Sequence, residues 1–159
     1  MSYIPHKFLS AKFRREAPAP LKFGADGKFR ILHLTDIHQV MPEMDDEEDR
    51  RIPEANDIET QHVIETLISE TNPDLVVFGG DNISGYWKEF TYDLVQKTIE
   101  KITKPVRDRN IPLCVVFGNH DGEAALKKNE QFEIYKSSPM FVYADAASEE
   151  DKATFCLSI

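Results

Sequence analysis

A chain of 159 residues with 28 acidic against 19 basic side chains carries a formal net charge of −9, and 41% of its positions are hydrophobic and 30% charged. By length this is one domain, able to bury roughly 70% of the surface its unfolded form exposes, and the balance excludes collagen-like, coiled-coil and low-complexity classes. The acidic excess, with Lys and Arg scattered rather than segregated, argues against a nucleic-acid groove, and no apolar run approaches membrane-spanning length.

Residues 1–20 mix Lys, Arg, Pro5, Pro18 and Pro20 without periodicity and read as a tail or strap. The opening, Met1-Ser2-Tyr3-Ile4-Pro5-His6-Lys7, offers no apolar region for a signal peptide. The two cysteines, Cys114 and Cys156, make no disulfide framework, so the expectation is a reduced, cytoplasmic chain. Asn82-Ile83-Ser84 matches a glycosylation acceptor by letter and, without a secretory signal, is incidental.

Leu21-Lys22-Phe23, the turn Gly24-Ala25-Asp26-Gly27 and Lys28-Phe29-Arg30-Ile31-Leu32 predict strand, turn and strand, the second arm running through His33-Leu34 into Thr35-Asp36-Ile37-His38. The acidic run from Glu43 to Asp49 reads as a solvated loop. Asp57 can cap a helix carrying Val63, Ile64, Leu67 and Ile68 on one face, stopped by Asn72-Pro73. The strand Leu75-Val76-Val77-Phe78 ends at Gly79-Gly80. A second helix, from about Phe90 to Arg107, turns Leu94, Val95, Ile99 and Ile102 inward, with Pro105 marking a kink or early end. Leu113-Cys114-Val115-Val116-Phe117 then ends at Gly118, a third amphipathic segment runs from about Glu123 to Tyr135, and short apolar pieces follow at Met140 to Tyr143 and Phe155 to Ile159. Alternating strands and helices indicate an α/β fold with a mostly parallel sheet, and the wholly apolar strands imply that both sheet faces are covered.

Three of these strands end in polar clusters: Asp36-Ile37-His38, Gly80-Asp81-Asn82 and Gly118-Asn119-His120-Asp121. In a parallel sheet the three ends share one edge, where open α/β sheets hold their ligands. Asp36, His38, Asp81 and Asn119 offer carboxylate, imidazole and amide oxygen, a set suited to Mn, Fe or Zn rather than to calcium. Two such ions would activate a water and clamp the oxygens of an in-line displacement at phosphorus, with Asp81 able to bridge them. His120, held by the neighbouring carboxylate of Asp121, can protonate a leaving alkoxide, an effect of roughly 10² to 10⁴ in rate. Each cluster alone has an ordinary reading: Asp-x-His recurs by chance, Gly-Asp-Asn is a common turn, and Gly-Asn-His-Asp suits a turn with a helix cap. Their order, each at a strand end, selects the chemical one.

The three clusters resemble the first three signature motifs of the calcineurin-like metallophosphoesterases, over about residues 29 to 122, and the surrounding sequence is similar to the branch holding small purple acid phosphatase-like enzymes and a yeast phosphatase that regulates cell-cycle dose. The resemblance implies hydrolysis of phosphate esters at a dinuclear metal site: Asp36 and His38 on the first metal, Asp81 bridging, Asn119 on the second, and His120 with Asp121 on the leaving group or phosphate. It implies a β-sandwich flanked by helices, of which this chain supplies the first half. Ser84 stands where typical purple acid enzymes have a tyrosine ligand, so their charge-transfer colour is expected to be absent.

The family completes its metal shells with a further histidine and a Gly-His-x-His motif, and after His120 this chain has no histidine. The remaining ones, His6, His33 and His62, fall in the tail, the first strand and a helix. The expectation is therefore that residues 21–159 are the N-terminal part of a truncated phosphoesterase domain that holds at most one ion tightly. Such a half would expose apolar sheet surface and self-associate. The alternative is a catalytically inactive fragment acting by binding or dimerisation; a nuclease is disfavoured by the charge. Tyr86 and Trp87 could stack on a substrate, though packing on the next helix is the plainer reading.

Overall fold

Short apolar strands each followed by a helix can pair only in parallel, because each helix returns the chain to the same end of the sheet. The computed structural model, which describes residues 20–40, 51–84, 91–123 and 125–142, has this organisation. The elements are β1 (Ile31–Leu34), α1 (Arg51–Thr71), β2 (Leu75–Gly79), α2 (Tyr92–Arg107), β3 (Leu113–Val116), a 3₁₀ turn (His120–Glu123) and α3 (Lys128–Lys136). The strands lie in the order β1-β2-β3, all parallel, with Leu32 opposite Val76 and Val77 opposite Cys114. Along the outer edge of β3, Leu113 N donates to Met140 O at 2.8 Å and Val142 N to Leu113 O at 2.8 Å, so the apolar piece after α3 continues the sheet.

This register divides the strands between two faces. Leu32, Leu34, Val76, Phe78, Leu113 and Val115 meet Ile64 and Ile68 of α1, Val95, Ile99, Ile102 and Val106 of α2, and Phe132 and Tyr135 of α3 in the main core. Helix α2 supplies its stripe at helical spacing, Val95, Ile102 and Val106 being fully buried, and each such side chain contributes about 1.5 to 3 kcal/mol of transfer free energy before entropy is set against it. Thr91 starts this helix by accepting a hydrogen bond from Leu94 N at 3.4 Å. The opposite face carries Ile31, His33, Leu75, Val77, Gly79, Cys114 and Val116. Among the described residues it is covered only where Leu21, Phe29 and Val142 pack on Leu75, Val77 and Cys114, and Ile31 stays 55% exposed. Among the described residues, coverage of both faces, expected from the apolar strands, is thus complete on the helix side alone.

Other expectations are corrected in detail. The turn at Gly24–Gly27 forms, with Gly27 N donating to Gly24 O at 2.9 Å and Gly24 N to Lys28 O at 2.8 Å, but residues 21–23 are not a strand, and Leu21 packs on the open sheet face instead. Helix α1 starts at Arg51 rather than Asp57, with Pro53 in its first turn, where a missing N–H loses no helical bond. It ends before Asn72, whose φ of 44° is the left-handed stop that Asn tolerates. Its inward stripe is narrower than expected: Ile64 and Ile68 are buried, whereas Val63 is 47% exposed. Pro105 does not end α2, which runs to Arg107, since its missing N–H removes one bond within the last turn. The third amphipathic segment is broken, the 3₁₀ turn preceding α3, and Glu130 fixes the start of α3 by accepting from Lys127 N at 2.8 Å. The tail up to residue 19, the acidic run Glu43 to Asp49, Tyr86, Trp87, Tyr143, Cys156 and the final piece Phe155 to Ile159 lie outside the described residues.

Candidate metal centre at the carboxyl edge of the sheet

Beyond their strands, the chains leaving β1 and β2 stay side by side. Asp36 N donates to Gly80 O at 3.0 Å, His38 N to Asp81 O at 2.9 Å, Gln39 N to Asn82 O at 3.2 Å, and Ser84 N to Gln39 O at 3.0 Å. Within this ribbon Asp36, His38 and Asp81 all take positive φ, at 55°, 45° and 49°. That region is uncommon for residues other than glycine and costs of order 1 to 3 kcal/mol each, so it persists only where the surrounding bonds hold it.

The twisted backbone collects three side chains. One ligand atom from each of Asp36, His38 and Asp81 lies within 4.8 Å of the others, and His38 Nε2 stands 3.9 Å from Asp36 Oδ1 and 4.0 Å from Asp81 Oδ2. Thr35 Oγ1 donates to Asp36 Oδ2 at 2.7 Å, which orients that carboxylate. Asp36 is exposed and Asp81 buried, so the group opens at its rim and is anchored at its base. Two carboxylates and an imidazole converging at this distance match the oxygen and nitrogen preferences of a borderline divalent ion.

The strand ends approach so closely that glycine is required at two places. Gly80 has φ 110°, and a β-carbon there would lie 2.8 Å from Gly118 N; one on Gly118 would lie 2.1 Å from Asp81 Oδ1. The loop after β3 is thereby pressed against Asp81, and His120 N donates to Asp81 Oδ1 at 2.8 Å. The His120 ring lies with its centroid 5.4 Å from that of His38. Asn119 sits exposed in the same loop, between Gly118 and His120.

Asp121 and His120 are adjacent in sequence and differ in what they face. Asp121 is fully buried. Its Oδ1 accepts from Asn82 N at 2.9 Å and Ile83 N at 3.0 Å, and its Oδ2 from Gly118 N at 2.8 Å. It therefore staples the loop after β2 to the loop after β3, and burial pushes its carboxyl above the usual range against the pull of those bonds. The carboxylate bonded to the His120 ring belongs to Glu123, whose Oε2 lies 2.9 Å from Nδ1. That contact raises the imidazole above its ordinary value.

Glu123 is the residue that reading the sequence missed. The sequence places it at the start of an amphipathic segment, but in a 3₁₀ turn residues three apart eclipse one another, which brings it beside His120. His33 and His62 stay out of the cluster: His33 lies over Gly79 on the open sheet face, where a β-carbon on Gly79 would meet its Nε2 at 2.2 Å, and His62 is exposed on α1. Asn82 is fully buried and donates through Nδ2 to Val116 O at 2.9 Å, which removes it as a glycan acceptor in the folded chain.

Comparison with known proteins gives one consistent result. The family profile described as calcineurin-like phosphoesterase matches residues 29–157. The chain is 32% identical over 136 residues to "Probable inactive purple acid phosphatase 28" of Arabidopsis thaliana, covering 81% of this chain and 33% of that protein. It is 30% identical over 122 residues to "Probable inactive purple acid phosphatase 14" of the same plant, covering 75% and 30%. Against "Phosphatase DCR2" of Saccharomyces cerevisiae it is 28% identical over 156 residues, covering 97% and 26%. The chain thus spans a third or less of the length of these relatives.

Proposed function

Since the chain belongs to the calcineurin-like phosphoesterase family, we propose that it supplies one side of a dinuclear metal site for the hydrolysis of phosphate esters. The observation that carries this reading is the convergence of Asp36, His38 and Asp81 within 4.8 Å at the carboxyl edge of the sheet. The donor set fits a metal ion: two carboxylates and an imidazole are gathered by left-handed backbone at all three positions, beside a glycine whose missing side chain leaves the Asp81 carboxylate its space. Asp36 and His38 would hold one ion, Asp81 would bridge to a second, and Asn119 would serve that second ion. Bound Mn, Fe or Zn supplies a nucleophilic water near neutral pH and charge stabilisation at phosphorus.

The chain's own residues do the rest. His120 gives a proton from its ring to the leaving alkoxide oxygen. Asp121 contributes indirectly, holding the second and third loops together so that Asp81 and His120 keep their spacing. Residues 21–159 are read as the N-terminal part of a phosphoesterase domain, with a phosphate ester as substrate, in a reduced cytoplasmic setting suited to the free thiol of Cys114. Among the described residues no helix is long and apolar enough to cross a membrane.

A second reading has its own support. Two relatives carry the word inactive in their names, and Ile31 on the half-covered sheet face is 55% exposed, which favours a catalytically inactive fragment that self-associates or binds a partner. Calorimetric titration with Mn or Zn, combined with turnover of an aryl phosphate, separates the two. The expected result for this chain is one tightly bound ion, with little or no turnover. Two ions with sustained turnover would overturn the half-site assignment, and no ion at all would leave the binding role.

A further inference from the structure

The ring of His120 has two nitrogens, and which of them can give or take a proton at the site is set by what holds the other. Its neighbour in sequence does not hold it, because both carboxylate oxygens of Asp121 are engaged by the backbone N–H groups of Asn82, Ile83 and Gly118. Glu123 does: its Oε2 lies 2.9 Å from His120 Nδ1, on a 3₁₀ turn whose geometry eclipses the two side chains. A carboxylate accepts and never donates, so the hydrogen in this contact belongs to Nδ1. The backbone of His120 is fixed independently by its N–H bond to Asp81 Oδ1, so Glu123 acts on the ring alone.

We propose that Glu123 is a positioning residue that fixes His120 as the Nδ1–H tautomer and reserves Nε2 for proton transfer at the site. The imidazolium carries both protons; when Nε2 gives its proton to a leaving alkoxide, the pair of electrons stays on Nε2, Nδ1–H remains bonded to Glu123, and the ring is left neutral in the tautomer that can be protonated again at Nε2. The consequence for catalysis rests on the role given to His120 above. The tautomer itself does not, and it can be read without turnover.

The test is nitrogen-15 correlation spectroscopy of the imidazoles in the 159-residue chain at a pH where the ring is neutral, with His120→Gln to assign the signal. The expected result is Nδ1–H in the wild-type chain, retained in Glu123→Gln, whose amide oxygen also accepts. In Glu123→Ala the ratio of tautomers shifts at least about tenfold toward Nε2–H. The backbone amide signal of His120 keeps its position in all three, showing that its bond to Asp81 and the fold are intact. An unchanged ratio in Glu123→Ala, or a shift in Glu123→Gln as large as in Glu123→Ala, overturns the proposal. Failure of the hydrolytic reading leaves this result standing, since no substrate enters the measurement.

Discussion

A β-carbon on Gly118 would stand 2.1 Å from Oδ1 of Asp81, the oxygen that also accepts the backbone N–H of His120 at 2.8 Å. The third loop therefore reaches the carboxylate only because residue 118 has no side chain. Gly118→Ala forces either the loop or the Asp81 carboxylate to move, with Asp81 N also only 2.5 Å from the new atom. The expected outcome is a loss of metal affinity of about 10- to 100-fold, the range seen when groups supporting a ligand are disturbed. Titration with Mn or Zn measures it, and an unchanged affinity would show that Asp81 is not a ligand in the bound state.

The stapling role of Asp121 makes a different claim. Asp121→Ala leaves the buried N–H groups of Asn82 and Ile83 and the part-buried one of Gly118 without their acceptor, and buried donors cost about 1 to 3 kcal/mol each when unsatisfied. Allowing for relaxation, the substitution is expected to destabilise the chain by about 2 to 5 kcal/mol in urea unfolding. His120→Ala, at a half-exposed ring, should change stability by less than about 1 kcal/mol. Equal effects from the two substitutions would mean that the staple does not bear on the fold.

Metal binding and proton transfer should separate by residue. Asp81→Asn removes a negative charge and a bridging oxygen from the cluster and is expected to lower metal affinity, whereas His120→Ala leaves Asp36, His38 and Asp81 in place and keeps it. In a longer form that turns over, His120→Ala should cost roughly 10² to 10⁴ in rate on alkyl phosphates, whose leaving groups need the proton, and far less on activated aryl phosphates. Equal loss on both substrate types would remove His120 from the leaving-group role.

Parallel pairing of the strands and the placement of Asp36, His38, Asp81 and His120 beyond their ends were legible in the sequence because both rest on periodicity and on the ends of apolar runs. The start of α1 was not: Asp57 has the chemistry of a cap, yet Pro53 is tolerated in a first turn, and nothing local distinguishes those alternatives. Residues 21–23 have a strand-like pattern but form no strand, and Leu21 packs against Leu75, Cys114 and Val142 instead, a matter of tertiary context rather than propensity. The identity of the carboxylate at His120 was hidden by the turn type. An extended path would point Glu123 elsewhere, and the 3₁₀ geometry of His120–Glu123, which eclipses residues three apart, brings it to Nδ1. Asp121 reads as the partner of His120 because the two are adjacent in sequence, whereas its burial and its bonds to three backbone N–H groups make it a clamp.

The half-covered sheet face gives a pH dependence with a definite sign. Cys114 is buried against Leu75 and Val142, and this burial pushes its thiol up to about 11 from an ordinary value of 9.0. Between those values the folded chain holds a proton that the unfolded chain has lost. Stability from this group is therefore fully present below about pH 9 and falls as pH rises toward 11, by at most about 3 kcal/mol for a shift of this size. Cys114→Ala removes that slope while adding a pH-independent cavity cost of about 1 to 2 kcal/mol. Tyr135, raised well above its usual value by its own burial, is present in both chains and cancels from the difference. Urea unfolding of the two chains under reductant, from pH 7.5 to 11, should show curves that converge as the pH rises through this window. Parallel curves would mean that the thiol is solvated in the native state, and that the cover provided by Leu21, Phe29 and Val142 opens freely.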